Sequence, residues 1–221
     1  MTEEELRLLR EKREARETRA FTLTEVRIEA REDGKGQRIV GHAAVFNLLS
    51  EDLGGFREQI AAGAFKDAIS KDDVRALFNH DDNFVLGRNK ASTLVLSEDE
   101  KGLRTVIDLP DTQLARDLAV SMQRGDINQM SFAFQVKRED QNWEKTGEGP
   151  WIRTINRVER LWDVSVVTYP AYPQTDAAVR ALKDIQEAAR RDGERAQGLT
   201  TETEGLVLRQ TTRARLIRAG L

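Results

Sequence analysis

Two residues able to do covalent chemistry stand out in this chain, a histidine that closes an apolar run and a serine within an alternating one. The sequence holds two histidines and no cysteine, so a serine nucleophile that needs a neutral base has few partners. Ser131 lies in residues 129–136, whose alternation predicts a strand with one apolar face and one small, polar face that leaves room for a substrate. His80 is followed by acids and a turn, which predicts a position at a sheet edge. The two residues therefore predict a serine–histidine pair for nucleophilic catalysis.

A third side chain is needed to hold the tautomer of such a histidine, and Asp163 is the candidate. It interrupts the apolar run 161–167, where an unpaired carboxylate would be costly to bury, so we expect it to have a partner. A histidine would serve, and so would an arginine or a backbone amide. Glu159 is the reserve acid, on the same face. His42, in mid-strand, is the second candidate base, and Ser165 is interpreted as a serine of the core.

A metal site is the weaker interpretation of the same residues. His80, Asp81 and Asp82 could supply nitrogen and oxygen ligands together with Asp163. The two histidines, however, share no repeated spacing with acids, and no glycine-rich phosphate loop joins a strand to a helix. We therefore expect neither a metal nor a cofactor.

The distribution of charge predicts how the chain is organised. Its 221 residues are long for one domain and short for two of ordinary size, and 33% of them are charged. Charged residues concentrate at both ends. We predict a charged N-terminal extension over residues 1–21, a folded domain over 22–176, and a C-terminal helix with an arginine-rich tail over 177–221.

Composition also excludes several classes of function. The net charge of −3 argues against nucleic acid as the main partner, and the arginines near the C-terminal end are interpreted as a solvated helix face. Zero cysteine excludes a thiol nucleophile and disulfides. No apolar run approaches the roughly twenty residues that a membrane span requires. The beginning of the sequence lacks the apolar core of a signal peptide, so we expect an intracellular protein away from membranes.

The elements that must position these residues are mostly strands. The patterns predict helices over 3–19, 63–70, 110–124 and 176–191, and an exposed loop over 137–149. They predict strands over 24–30, 38–47, 56–60, 74–80, 85–88, 93–96, 102–109, 129–136, 151–155 and 158–168. Strands joined mainly by hairpins, with few helices between them, predict an α+β domain around an antiparallel sheet or barrel.

Several stretches, taken in order, resemble one known family. They are 41–47 (GHAAVFN), 63–65 (GAF), 77–81 (LFNHD), 86–88 (LGR), 102–103 (GL), 109–112 (LPDT), 125–127 (GDI), 130–134 (MSFAF), 161–168 (LWDVSVVT) and 170–173 (PAYP). Each stretch is short, but the ordered set resembles the prohead (procapsid) maturation proteases of tailed bacteriophages, which are related to the herpesvirus assembly protease, assemblin.

This resemblance implies an assemblin-like serine endopeptidase that cleaves scaffold protein and major capsid protein inside the immature phage capsid, in the host cytoplasm. By position, the catalytic serine of the family falls on Ser131, its histidine on His80 and its acid on Asp163, with Glu159 as the alternative acid. His42 stands where many relatives carry an aromatic residue. The charged tails suggest self-association and self-cleavage. The alternatives are a non-catalytic capsid assembly or scaffold protein of the same fold, and a hydrolase of small esters or amides.

Overall fold

The computed structural model of the chain describes residues 16–21, 26–31, 33–34, 36–145, 147, 149–169 and 182–191. The chain divides into two units, residues 1–179 and residues 180–221. In the second unit the described part is one helix, over 182–191, within the predicted helix 176–191. Among the described residues, no helix has the length and apolar character that crossing a membrane requires.

The described part of the first unit is built mainly from strands. In chain order these are β1 (Glu17–Phe21), β2 (Arg27–Ala30), β3 (Gln37–Val45), β4 (Phe56–Ile60), β5 (Arg75–Phe78), β6 (Asp81–Arg88), β7 (Leu94–Glu98), β8 (Gly102–Asp108), β9 (Gln129–Gln135), β10 (Gln141–Lys145), β11 (Trp151–Ile155) and β12 (Arg160–Val167). Two helices accompany them, α1 (Lys66–Lys71) and α2 (Gln113–Gln123). The side chain of Thr112 caps α2 by accepting a hydrogen bond from the amide of Ala115 at 3.3 Å.

The strands form three sheets. The central sheet has the order β1-β9-β12-β5-β6, the small sheet the order β10-β11-β4, and the remaining sheet the order β2-β3-β8-β7. Pairing is antiparallel except between β12 and β5 and between β11 and β4. The predicted α+β class with a mainly antiparallel sheet is confirmed. The alternative of a barrel is wrong for the described residues, because their sheets stay open.

The apolar face of β9 packs into the core, as its alternation predicted. Phe132 stacks on Phe134 with ring centroids 4.7 Å apart and meets the edge of Phe65 at 5.4 Å. Phe65 in turn contacts Phe46 at 6.3 Å. Because large buried aromatic side chains dominate core energetics, this chain of rings holds β9 in a fixed position between its neighbours.

Three local predictions were wrong. Residues 17–19 belong to strand β1 rather than to a helix, because they pair along the edge of β9; residues 3–15 lie outside the described part. The predicted exposed loop 137–149 contains strand β10, which pairs with β11. The strand predicted over 74–80 ends at Phe78, and Asn79 and His80 form the turn, so the acids that follow His80 begin β6 and the turn predicted after His80 is wrong. Asparagine tolerates the left-handed conformation that this turn requires. The alternation of apolar residues reports burial and gives no information on that conformation, so the end of the strand was predicted two residues too late.

Candidate active site

The side chains of Ser131, His80 and Asp163 meet, although they are far apart in the sequence. The Oγ atom of Ser131 lies 2.7 Å from Nε2 of His80. On the other side of the imidazole ring, Nδ1 lies 2.7 Å from Oδ1 of Asp163. A carboxylate accepts a hydrogen bond but cannot donate one, so the Nδ1 proton faces Asp163 in the neutral ring and Nε2 is free to accept a proton from the serine.

A tight hairpin turn holds His80 in place. Asn79 and His80 both have positive φ angles, of 55° and 58°, between the paired residues Phe78 and Asp81. Two consecutive left-handed residues are what a two-residue type I′ hairpin needs. The side chain of Asn79 fastens the turn to Thr168: it accepts a hydrogen bond from that residue's amide at 2.9 Å and donates one to its hydroxyl at 3.2 Å. The histidine is therefore fixed by backbone geometry.

Neighbouring strands of the central sheet carry the other two side chains. In the pairing of β12 with β9, Ser165 lies opposite Ser131 and Asp163 lies opposite Ala133. Because side chains two residues apart on a strand share a face, Asp163 and Ser131 project to the same side of the sheet. A register shift between Leu161 and Asp163 interrupts the ladder just before the acid.

The buried carboxylate of Asp163 is fully satisfied by its neighbours. Its side chain is only 2% exposed. Oδ1 accepts a hydrogen bond from the hydroxyl of Ser165 at 2.7 Å in addition to that from His80, and Oδ2 pairs with the guanidinium of Arg16. Burying a carboxylate is costly unless it is paired and hydrogen-bonded, and both conditions are met here. Of the three partners that the sequence left open, two are therefore present, a histidine and an arginine.

Ser131 is completely buried, which contradicts the expectation of an open polar face around it. The reason is β1, which pairs antiparallel along β9 with Ala20 opposite Ser131. The Oγ atom of Ser131 also lies 2.9 Å from the carbonyl oxygen of Arg19. A hydroxyl has one proton, so that carbonyl competes with His80 for it.

The other candidates from the sequence lie apart from this cluster or play a different part in it. Nε2 of His42, on β3, contacts Oδ2 of Asp99, in the turn between β7 and β8, at 2.8 Å, and these strands belong to a different sheet from β9. Glu159 forms ion pairs with Lys137 and Lys71, at 3.2 and 4.0 Å. Ser165 is buried, as its strand predicted, but it also contacts Asp163.

Sequence reasoning missed Asn79, Thr168 and Arg16. The dipeptide Asn79-His80 between two extended runs was a usable signal for a two-residue turn. Arg16 gave no such signal, because it lies in a stretch where arginine and glutamate alternate frequently. Its contact with Asp163 depends on how β1 pairs with β9.

Comparison with known proteins identifies the family. The sequence model of the caudovirus prohead serine proteases matches residues 24–190 of this chain. The chain belongs to this family. The prohead protease of Enterobacteria phage HK97 is 34% identical over 171 residues, which cover 76% of this chain and 69% of the HK97 protein. The structure of the bacteriophage T4 capsid assembly protease, gp21, aligns with a TM-score of 0.40 and 16% identity over 68% of this chain and 98% of that one.

The resemblance inferred from the ordered motifs is therefore confirmed. As a member of the prohead serine protease family, this chain is a serine peptidase that acts in phage capsid maturation. The alternative of a non-catalytic assembly protein is not favoured. The first strand of the central sheet, β1, precedes the first residue that the family model matches.

Proposed function

We propose that Ser131, His80 and Asp163 are the catalytic triad of this protease. The observation that supports the proposal is the pair of 2.7 Å contacts that His80 makes, with the serine through one nitrogen and with the acid through the other. Serine, imidazole and carboxylate in this order form the arrangement that activates a hydroxyl for attack on a carbonyl.

The reaction proceeds through an acyl-enzyme. Nε2 of His80 takes the proton of Ser131 as Oγ attacks a substrate carbonyl carbon, and Asp163 stabilises the imidazolium that forms. His80 then gives that proton to the departing amine as the peptide bond breaks. Water, activated by the same imidazole, releases the acyl group. Backbone amides stabilise the oxyanion, and each such donor typically contributes about 3 kcal/mol.

The proposed substrates are the scaffold protein and major capsid protein of a phage, cleaved inside the immature capsid in the host cytoplasm. Family membership supports this assignment, since the relatives are named for the prohead. We further propose that the domain is related in fold to assemblin, that copies associate with one another, and that the enzyme also cleaves its own charged tails. The position of β1 against Ser131 supports self-cleavage, because it brings a segment of the same chain to the nucleophile.

Replacing the nucleophile tests the proposal directly. The chain and its Ser131→Ala variant are each produced with the capsid and scaffold proteins of their phage, and new termini are identified by mass spectrometry. We expect the variant to lose processing by about 10⁶-fold, the effect typical of removing a serine nucleophile. Ser70→Ala, at an exposed serine on α1, is the matched control. Identical termini from the Ser131→Ala variant would refute the assignment.

A further inference from the structure

Strand β1 lies where a peptide substrate of this site would have to lie. It is the edge strand of the central sheet and pairs with β9, the strand that carries Ser131. The carbonyl of Arg19 is in hydrogen-bond contact with the serine Oγ at 2.9 Å. Proteases and peptide-binding domains commonly take up an extended peptide as an added strand. In this register, Arg19 stands at the position of the residue whose carbonyl is attacked.

The side chains of β1 divide between the two faces of the sheet. Because strand residues alternate, Glu17 and Arg19 share the face of Phe132 and Phe134, opposite to the triad. On that face Arg19 lies over the ring of Phe134, with 5.7 Å between the guanidinium carbon and the ring centroid. Both Glu17 and Arg19 are nearly completely buried.

Four buried charges meet there in a closed ring, which we call the charge ring: Glu17, Arg19, Glu58 and Arg153. Arg19 donates two hydrogen bonds to Glu58, from Nε to Oε1 at 2.8 Å and from a terminal nitrogen to Oε2 at 3.1 Å. Arg153 donates two hydrogen bonds to Glu17, at 2.6 and 2.8 Å. Cross contacts complete the ring, from Arg19 to Glu17 at 2.7 Å and from Arg153 to Glu58 at 2.7 Å.

The electrostatics of the charge ring favour the ionised forms of Glu17 and Arg153. Burial raises the pKa of the Glu17 carboxyl, but the charges of Arg153 and Arg19 and their hydrogen bonds outweigh burial and leave that pKa below its usual value. Burial lowers the pKa of Arg153, and its two glutamate partners more than reverse this effect. A buried ion pair is tolerated when geometry and hydrogen bonding are as complete as this.

Two members of the charge ring belong to the small sheet and two to β1. Glu58 lies on β4 and Arg153 on β11, neighbouring strands of the small sheet. The contact between these two does not involve β1, and Arg153 also donates to the side chain of Gln141 at 2.6 Å. The domain therefore offers a neutral pair with one acidic and one basic end, which matches a peptide carrying an arginine and an acid two residues before it.

We propose that β1 occupies the substrate groove and that Glu58 and Arg153 determine the specificity of the protease. Glu58 selects arginine at the residue whose carbonyl is attacked, and Arg153 selects an acid two residues before it. This inference rests on the proposed function, because it takes Ser131 as the nucleophile. When such a peptide reacts, Oγ of Ser131 bonds to the arginine carbonyl carbon, the following amine leaves with the proton from His80, and water then releases the arginine carboxylate.

The contacts favour arginine over lysine. The planar guanidinium matches the two oxygens of Glu58, and its carbon atom lies 5.7 Å from the centroid of the Phe134 ring. The ammonium group of lysine is a compact point charge that cannot make the paired contact. A neutral side chain such as glutamine would leave the buried carboxylate of Glu58 with one cation fewer.

The test uses nonapeptides cleaved by the full chain. The parent peptide has the sequence of residues 15–23, ARETRAFTL. It begins after Glu14 because Glu14-Ala15-Arg16 also places an acid two residues before an arginine and would offer a second cleavage site. Three further peptides replace the arginine that corresponds to Arg19 with lysine or glutamine, or the acid that corresponds to Glu17 with glutamine. Comparing peptides on one enzyme keeps the competition with its own β1 constant. We expect cleavage after that arginine, with kcat/KM about 100-fold lower for the arginine-to-glutamine peptide and about tenfold lower for each of the other two.

A variant of the enzyme then tests Glu58 itself. Glu58→Gln should reduce the preference for arginine over glutamine to about tenfold or less. Glu144→Gln, at an exposed glutamate of the same small sheet, should leave that preference unchanged. The readout is a ratio of two rates on one enzyme, so a variant that is partly unfolded still reports it. Ser131-dependent cleavage without preference for arginine would overturn this inference and leave the triad standing. Absence of peptide cleavage by a chain whose capsid processing depends on Ser131 would also overturn this inference alone, whereas capsid processing that does not need Ser131 would overturn both.

Discussion

Both histidines of this chain form a short hydrogen bond with an aspartate, yet their surroundings differ. His80 contacts Asp163 through Nδ1 and places Nε2 against a serine hydroxyl. His42 contacts Asp99 through Nε2, the nitrogen that His80 uses for the serine. The acid beside His80 is 2% exposed, whereas the acid beside His42 is 39% exposed. A histidine–aspartate pair is therefore not by itself evidence of catalysis.

The backbone explains why only one pair has a nucleophile beside it. His80 occupies a left-handed position at the tip of the β5–β6 turn, a conformation that residues other than glycine adopt rarely. That turn is tied to the end of β12 by Asn79 and Thr168. His42 lies within strand β3, opposite Arg104 and next to a register shift in the pairing with β8, and its φ angle is not positive. Unusual backbone geometry that is held by its surroundings is typical of functional sites.

Removing each imidazole in turn should give the largest difference in kcat between the two histidine–aspartate pairs. His80→Ala removes the base that accepts the serine proton, and we expect kcat for the ARETRAFTL peptide to fall by about 10⁶-fold. His42→Ala should leave kcat unchanged. The measurement is steady-state cleavage at neutral pH, with circular dichroism to show that both variants fold. Comparable losses in the two variants would mean that His80 has no special role.

Neutralising the acid of each pair should give the next largest difference in kcat. Asp163→Asn keeps the shape of the side chain but removes the charge that stabilises the imidazolium and fixes its tautomer. We expect a loss in kcat of about 10⁴-fold at neutral pH, the effect that the same change has in a well-studied serine protease triad. Asp99→Asn is the matched control and should retain full activity. An Asp163→Asn enzyme as active as that control would show that His80 works without the acid.

The comparison also shows what the sequence could predict. Ser131 and Asp163, the two contacts of His80, could be predicted as candidates from residue type. Few bases were available to a serine, and a carboxylate in an apolar strand needs a partner. The strands β4, β9 and β11 followed from alternation, which reports burial on one face. Local pattern could predict neither the parallel pairing of β12 with β5 nor the strand β1, because both depend on contacts between distant segments. The charge ring was missed for the same reason.

The smallest expected difference between the two pairs concerns stability in acid, and it involves Asp99. Burial raises the pKa of this carboxyl, but hydrogen bonds from His42 and from the amides of Gly102 and Lys101 lower it below its usual value. A group whose pKa is lowered by folding stabilises the protein above its unfolded pKa, and this contribution is lost as the pH falls through the folded pKa. Asp99→Asn should therefore lower Tm at pH 6 and make little difference near pH 2.

The size of that effect is limited by exposure, because water screens a pair in which the acid is 39% accessible. We expect a fall in Tm of less than about 3 °C at pH 6. Differential scanning calorimetry of Asp99→Asn against the parent chain from pH 2 to pH 6 measures it, and Glu144→Gln controls for the loss of one negative charge. A Tm difference that grows as the pH falls would have the wrong sign, and it would mean that folding does not favour the ionised form of Asp99.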